Sequence, residues 1–122
     1  MAEPLASGPE HLQAEQVDSL VAAAGVDGAL AILDAFQRST LDLLSVMGED
    51  LRSGALSEAS RTAHAVKGSA ANVGAAALAE CASAIEKACK EGDGAVASQQ
   101  LSEAQKYYLA FCEEFKARIE HL

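Results

Sequence analysis

Apolar residues recur along this chain at steps of three and four, the spacing that places them on one face of an α-helix. Glycine or a short polar stretch interrupts the pattern, and each interruption marks an expected helix end. Gly25 is expected to end the first helix, Asp27 and Ser57 are expected N-caps, and Asn72 with Gly74 marks the end of the third helix or a bend near it. The sequence therefore predicts five helices, over about His11–Ala24, Asp27–Met47, Ser57–Asn72, Ala75–Lys90 and Ala95 to the terminus.

The predicted helices suit an all-α fold. The connections between them are short, and short connections favour antiparallel packing of neighbouring helices. The expected architecture is an up-down-up-down four-helix bundle with the short first helix packed across it. Residues 1–10 contain both prolines and little apolar content, so they are expected to form a flexible N-terminal tail. Residues 11–122 are expected to form one domain.

Composition narrows the function classes. The formal net charge is −9 and the pI is about 4.6, which argues against nucleic acid as a partner because phosphates require a basic face. Cys81, Cys89 and Cys112 lie in apolar helical stretches without metal-ligand spacing, so they are expected to be reduced core thiols.

The start of the chain carries no basic region followed by an apolar run, and no stretch approaches about 18 consecutive apolar residues. These features predict a cytoplasmic protein with no membrane partner. The chain length and the single motif described below favour a monomer.

The third predicted helix has one apolar stripe and one face with candidate chemistry. The stripe consists of Ala59, Ala63, Val66, Ala70 and Val73. At 100° per residue, the roughly opposite side carries a different set, Ser60, His64, Lys67, Gly68 and Ala71. We therefore expect His64 to point to solvent, with Lys67 and Gly68 one turn away on the same face.

An exposed histidine is common, but the presence of Gly68 on the same face makes His64 a candidate functional residue. Glycine inside a helix costs about 1 kcal/mol relative to alanine, so its presence requires a compensating advantage. The missing side chain would clear the approach of a bulky group to the imidazole of His64. Lys67 would bring an ammonium group to the same place, where it could partly neutralise phosphoryl oxygens. This arrangement favours a histidine that carries a phosphoryl group.

The motif resembles that of the histidine-containing phosphotransfer (HPt) domains of multistep phosphorelays. The resemblance covers about fifteen residues and rests on His64, Lys67, Gly68, Ser69, Asn72 and Gly74. One departure is Val66, a position where leucine is common in the family. The resemblance also implies a four-helix bundle.

By this resemblance, His64 accepts a phosphoryl group on Nε2 from a receiver-domain aspartate and passes it to another receiver aspartate. The implied partners are receiver domains of response regulators and of a hybrid histidine kinase. The Mg²⁺ and the aspartate belong to the receiver, so no cofactor or metal of this chain is expected. The chain also lacks a Gly-rich nucleotide loop, so it is expected to be a phosphoryl carrier without ATP-dependent autophosphorylation.

The expected docking surface surrounds His64. Ser60 and Ala71 flank it, and Arg61 lies at the edge of the same face, where it could meet acidic residues near a receiver's phosphorylation site. Exposed charge pairs typically contribute little, and an exposed arginine such as Arg61 is more often a solvated charge than a docking contact.

Two other function classes are consistent with a helical bundle. A metal-binding or enzymatic bundle would require Glu-x-x-His pairs, but Arg61 stands three residues before His64. A non-transferring adaptor that binds a receiver or kinase would not require His64, Lys67 and Gly68 together. The sequence favours the phosphoryl carrier over both alternatives.

Overall fold

A computed structural model describes residues 12–121 of the protein. The predicted tail at residues 1–10 lies outside the described residues. Within them the structure is helical throughout, with short turns. The elements are α1 (Ala14–Arg52), α2 (Leu56–Val73), α3 (Ala76–Lys90) and α4 (Gly94–Glu120).

Helix α1 is broken near its start. The backbone at Gly25 leaves the helical region, with φ 79° and ψ 171°, so residues 14–24 form a segment distinct from the rest of α1. This break confirms the predicted end of the first helix. Asp27 was expected to be an N-cap but lies inside helical structure, and the helix continues past Met47 to Arg52 because no residue in that stretch breaks it.

The four helices form an antiparallel bundle in which each packs against two neighbours, α1 against α2 and α4, and α3 against α2 and α4. The predicted bundle is therefore confirmed. Aromatic residues fill the α1–α4 side of the core: Phe36 and Phe111 meet edge to face at 5.5 Å between ring centroids, and Phe111 and Phe115 at 5.6 Å. Alanines at 59, 63 and 70 give α2 a narrow buried face, which allows its backbone to approach the other helices closely.

The start of α1 secures the end of α2. The backbone N–H of Gln13 donates to the carbonyl of Gly74 at 2.7 Å, and the side-chain amide of Gln16 donates to the carbonyls of Ala71 and Asn72 at 2.8 and 3.0 Å. The last carbonyls of a helix lack partners within it, so these bonds satisfy groups that would otherwise need water. The segment before Gly25 therefore fixes the C-terminal end of the helix that carries His64.

An ion pair near the middle of α1's first segment provides a second anchor. The guanidinium of Arg118 on α4 donates two bonds to the carboxylate of Asp18, at 2.7 and 2.8 Å. Parallel bonds of this kind are stronger and more directional than a single charged contact. The first segment of α1 is thus anchored to both α2 and α4, and it packs across the bundle as predicted.

The N-cap prediction for Ser57 is wrong. Helix α2 begins at Leu56, and its N-cap is Ala55, two residues before the predicted cap, with a side chain that cannot accept a hydrogen bond. The reason is the left-handed turn at Gly54 (φ 79°), which lets the chain enter the helix directly. As a result, Ser57 lies inside the first turn.

Two other expectations concern cysteines and membranes. Cys81, Cys89 and Cys112 are all free and buried, as predicted.

Helix α1 includes an 18-residue window of mean hydropathy 1.6, which by length and composition alone would be apolar enough to cross a membrane. The break at Gly25 and the packing of α1 on α2 and α4 are features of a bundle helix.

Candidate functional site

Helix α2 presents His64 to solvent. All five residues of its predicted stripe are buried, which fixes the rotation of the helix about its axis. The side chain of His64 is 66% exposed on the opposite side, and that of Lys67 is 37% exposed. Gly68 lies on the same exposed face. The structure thus brings together the three residues predicted to carry the chemistry.

The predicted docking residues divide into two groups. Arg61 and Ala71 are exposed near His64, as expected. Ser60 was expected on the exposed face but is buried, with 7% of its surface accessible. It follows Ala59 in the buried stripe and lies at the border of that stripe, where the C-terminal end of α3 covers it.

Glu86 of α3, which the sequence analysis did not single out, is the centre of the site. Its carboxylate faces Nδ1 of His64 at 3.2 Å from Oε2 and 3.4 Å from Oε1. Lys67 donates to Oε1 at 3.2 Å, and Lys90 donates to Oε2 at 3.1 Å. One carboxylate therefore contacts the histidine and two lysines from two helices.

The surroundings of Glu86 keep it ionised. Hydrogen bonds from Lys90, then Lys67 and His64, lower its pKa from the ordinary 4.5 to about 2, against the desolvation that raises it. The side chain is only 13% exposed, whereas its partners reach further into solvent. The site therefore holds a permanent negative charge behind the imidazole at neutral pH.

This contact determines which ring nitrogen of His64 is available. A carboxylate accepts hydrogen bonds but cannot donate them, so a neutral His64 with its proton on Nδ1 donates to Glu86. The lone pair then lies on Nε2, which has no hydrogen-bond partner within residues 12–121. An exposed, unprotonated Nε2 is the nucleophilic form of the imidazole.

The two motif glycines have different roles. A Cβ placed on Gly68 would meet no atom within 4 Å, so no packing inside the described bundle requires glycine there. Gly74 has φ 83°, and a Cβ there would lie 3.4 Å from Gln13 and Gln16. Gly74 thus permits the left-handed end of α2 and its close contact with α1, whereas Gly68 leaves open space beside His64.

A sequence signal for Glu86 exists but is weak. Glu86 and Lys90 are four residues apart on a predicted helix, and such pairs are common on solvated faces. Their link to His64 depends on how α2 and α3 face each other. Only the packed hairpin shows that Glu86 lies opposite His64.

No metal site accompanies this arrangement in the part of the chain that the structure describes. In that part, no group of three or more His, Cys, Asp or Glu side chains is placed to hold a metal ion. The donors around His64 consist of one carboxylate and two ammonium groups, and ammonium groups do not bind metals.

Comparisons with known proteins agree with this description of the site. The family model of the Hpt domain matches residues 31–122, a range that includes His64 and Glu86. The fold is similar to the crystal structure of histidine-containing phosphotransfer protein B (HptB) from Pseudomonas aeruginosa PAO1, with a TM-score of 0.83 and 24% sequence identity. That alignment covers 95% of this chain and 99% of the other. No curated protein sequence matches the chain.

The contrast between the glycines yields a stability test. Gly68→Ala should raise the free energy of unfolding by about 0.5–1 kcal/mol, because alanine is the better helix former and its methyl group meets open space. Gly74→Ala should lower it by about 1–2 kcal/mol, since a Cβ is strained at positive φ. Urea denaturation of both variants measures the difference. A destabilised Gly68→Ala protein would show that Gly68 is structural.

The charge on Glu86 yields a pH test. Its pKa is lowered on folding, so its contribution to stability is present above about pH 4.5 and is lost as the pH falls toward 2. Glu86→Gln should therefore reduce the free energy of unfolding by about 1 kcal/mol at pH 7, a modest value because the lysine partners are exposed. The difference from wild type should disappear near pH 2.

Urea denaturation between pH 2 and pH 7 measures this difference. Glu80→Gln is the matched control, because Glu80 is exposed on the same helix and forms no ion pair with any residue in 12–121. A difference between wild type and Glu86→Gln that stays constant over the whole range would contradict an ionised Glu86 in the folded protein.

Proposed function

The chain belongs to the Hpt domain family, whose members transfer phosphoryl groups through a histidine in phosphorelays, and we propose that His64 is the histidine that does so here. The observation that carries this assignment is the contact between Nδ1 of His64 and Glu86, which leaves an exposed Nε2 without a partner in the described residues. His121, the other described histidine, lies at the end of α4 without comparable neighbours.

The transfer proceeds in line at phosphorus. The lone pair of Nε2 attacks the phosphorus of an aspartyl phosphate on a receiver domain, and the bond between phosphorus and the aspartate oxygen breaks. The aspartate leaves as a carboxylate with the bonding electrons. His64 keeps its proton on Nδ1 and becomes a phosphorylated imidazolium ion. The carboxylate of Glu86, 3.2 Å from Nδ1, stabilises the positive charge that develops on the ring.

The return step regenerates the starting state. A carboxylate oxygen of a second receiver attacks the phosphorus, the bond between Nε2 and phosphorus breaks, and its electrons return to Nε2. No proton needs to leave the ring in either direction, because Nδ1 keeps the same hydrogen throughout. Glu86 is therefore a positioning residue that selects the tautomer and needs no proton transfer of its own.

Lys67 can serve the phosphoryl group because Glu86 has a second lysine. When the phosphoryl group arrives, Lys67 is free to move from Oε1 of Glu86 to the phosphoryl oxygens, one turn along the helix from His64. Lys90 continues to neutralise Oε2 at 3.1 Å. The carboxylate is then never left without an ammonium partner.

The partners are receiver domains, as for other Hpt proteins. We place their docking surface around His64, with Arg61 and Ala71 at its exposed edges and Gly68 leaving room for approach. The receiver supplies Mg²⁺ and the phosphorylated aspartate, so the carrier uses no cofactor of its own and does not phosphorylate itself from ATP. The protein acts as a cytoplasmic monomer between a hybrid kinase receiver and a response regulator.

A direct test is the transfer of label from phosphorylated receiver domains. A panel of receivers carrying labelled phosphate is mixed with the protein in the presence of Mg²⁺. Wild type and the control His121→Gln should acquire acid-labile, alkali-stable label, whereas His64→Gln should acquire none above background, because glutamine offers no ring nitrogen. Gel electrophoresis after acid and alkali treatment measures the label.

Two outcomes would contradict the proposal. Label on His64→Gln would assign the phosphoryl group to another residue. A wild-type protein that binds receivers but acquires no label from any of them would instead indicate a non-transferring adaptor.

A further inference from the structure

A groove lies between the first turn of α2 and the last turn of α3. It has a volume of about 420 Å³ and opens beside the His64 face, on the side of Arg61, one turn before His64. Its lining consists of Leu56, Ser57, Ser60, Arg61, Cys89 and Lys90. Most of the polar groups in this lining are hydrogen-bond donors, and none is a carboxylate.

Ser60 is the unusual member of this lining. The residue is 93% buried, and its hydroxyl has no hydrogen-bond partner among the described residues. Unlike the fully enclosed hydroxyl of Thr40, the hydroxyl of Ser60 keeps contact with solvent, and the groove provides that contact. A hydroxyl on a helix commonly donates to a backbone carbonyl one turn earlier, as that of Thr62 does to the carbonyl of Glu58 at 3.2 Å. The hydroxyl of Ser60 instead borders the groove, where a bound acceptor would satisfy it.

The start of α2 adds unpaired backbone donors to the same place. The N-cap residue Ala55 provides no side-chain acceptor. Within the described residues the N–H groups of Ser57 and Glu58 also have no backbone partner. Free N–H groups in the first turn of an 18-residue helix carry partial positive charge and attract anions.

The two charged side chains at the rim of the groove, Arg61 and Lys90, are both positive. Arg61 forms no ion pair with any residue in the range 12–121, although the whole chain has a net charge of −9. Lys90 lines the groove on the other side and pairs only with Glu86 there. A cation that finds no partner in so acidic a protein is available to a partner from outside.

We propose that this groove binds one carboxylate side chain of the receiver domain that docks over His64. The planar fork of Arg61 matches the two oxygens of a carboxylate, and the hydroxyl of Ser60 and the N–H of Ser57 supply further donors. The occupant belongs to the docked protein because the groove adjoins the exposed face that the phosphoryl donor must cover. This inference rests on the proposed function.

The groove can be tested without phosphoryl transfer. Uniformly ¹⁵N-labelled protein is titrated with sodium acetate, and with sodium chloride at the same ionic strength. The amide signals of Ser57 and Glu58 should shift saturably with acetate alone. Ser60→Ala and Arg61→Gln should weaken this response at least about fivefold, because each removes a donor. Lys116→Gln is the matched control, since Lys116 is an exposed cation on α4 without an ion pair in the described residues.

Docking is then measured on the His64→Gln background, where no transfer can occur. Adding Arg61→Gln or Ser60→Ala should raise the dissociation constant for a receiver domain about tenfold, the effect of losing about 1.4 kcal/mol of binding free energy. Adding Lys116→Gln should leave the constant within about twofold. Circular dichroism establishes that each variant is folded.

Three results would overturn the inference. The first is an acetate response no larger than that of chloride. The second is an acetate response that is retained in both groove variants. The third is acetate binding without any change in receiver affinity, which would make the groove an anion site that docking does not use. None of these measurements requires label on His64. A result that rejects the carboxylate site is therefore distinguishable from one that rejects phosphoryl transfer through His64.

Discussion

A single carboxylate, that of Glu86, organises the functional side of this bundle. It is held between α2 and α3 by Lys90, Lys67 and Nδ1 of His64, and it stays ionised because these three donors outweigh its partial burial. Two consequences for His64 follow from one group. In neutral His64, the ring nitrogen nearest the core can donate its proton to this carboxylate, and the outer nitrogen then has its lone pair in solvent. The chemistry of the exposed atom is thus set by a residue on another helix.

The position of that carboxylate depends in turn on how the end of α2 is built. Gly74 adopts φ 83°, which reverses the chain immediately into α3, and Gln16 donates to the last carbonyls of α2. The segment before Gly25 therefore supports the helix hairpin that brings His64 and Glu86 together. The geometry of the site therefore depends on the turn at Gly74. A longer or looser turn would change the register of α3 against α2 and move Glu86 away from His64.

Much of this could be predicted from the sequence, because it depends on local spacing. The buried alanines and valines of α2 repeat at steps of three and four, so their burial and the exposure of His64 were predicted and confirmed. Gly25 and Gly74 marked real ends, since positive φ favours glycine. Ser60 was wrongly expected to be exposed and Glu86 was not singled out at all, because both positions depend on the packing of α3 on α2. In a helix hairpin that turns at Gly74, residues about equally far from the turn lie side by side, so a residue near Glu86 could be expected beside His64. That spacing alone does not distinguish Glu86 from its neighbour Lys87.

The most direct measurement of the central claim is the tautomer of His64 in the unphosphorylated protein. Long-range ¹H–¹⁵N correlation spectra above pH 8 distinguish a protonated nitrogen from one with a free lone pair, and His121 provides an internal reference. The account predicts that neutral His64 carries its proton on Nδ1, and that Glu86→Ala shifts it toward the Nε2-protonated form. A wild-type His64 with its proton on Nε2 would contradict the role assigned to Glu86.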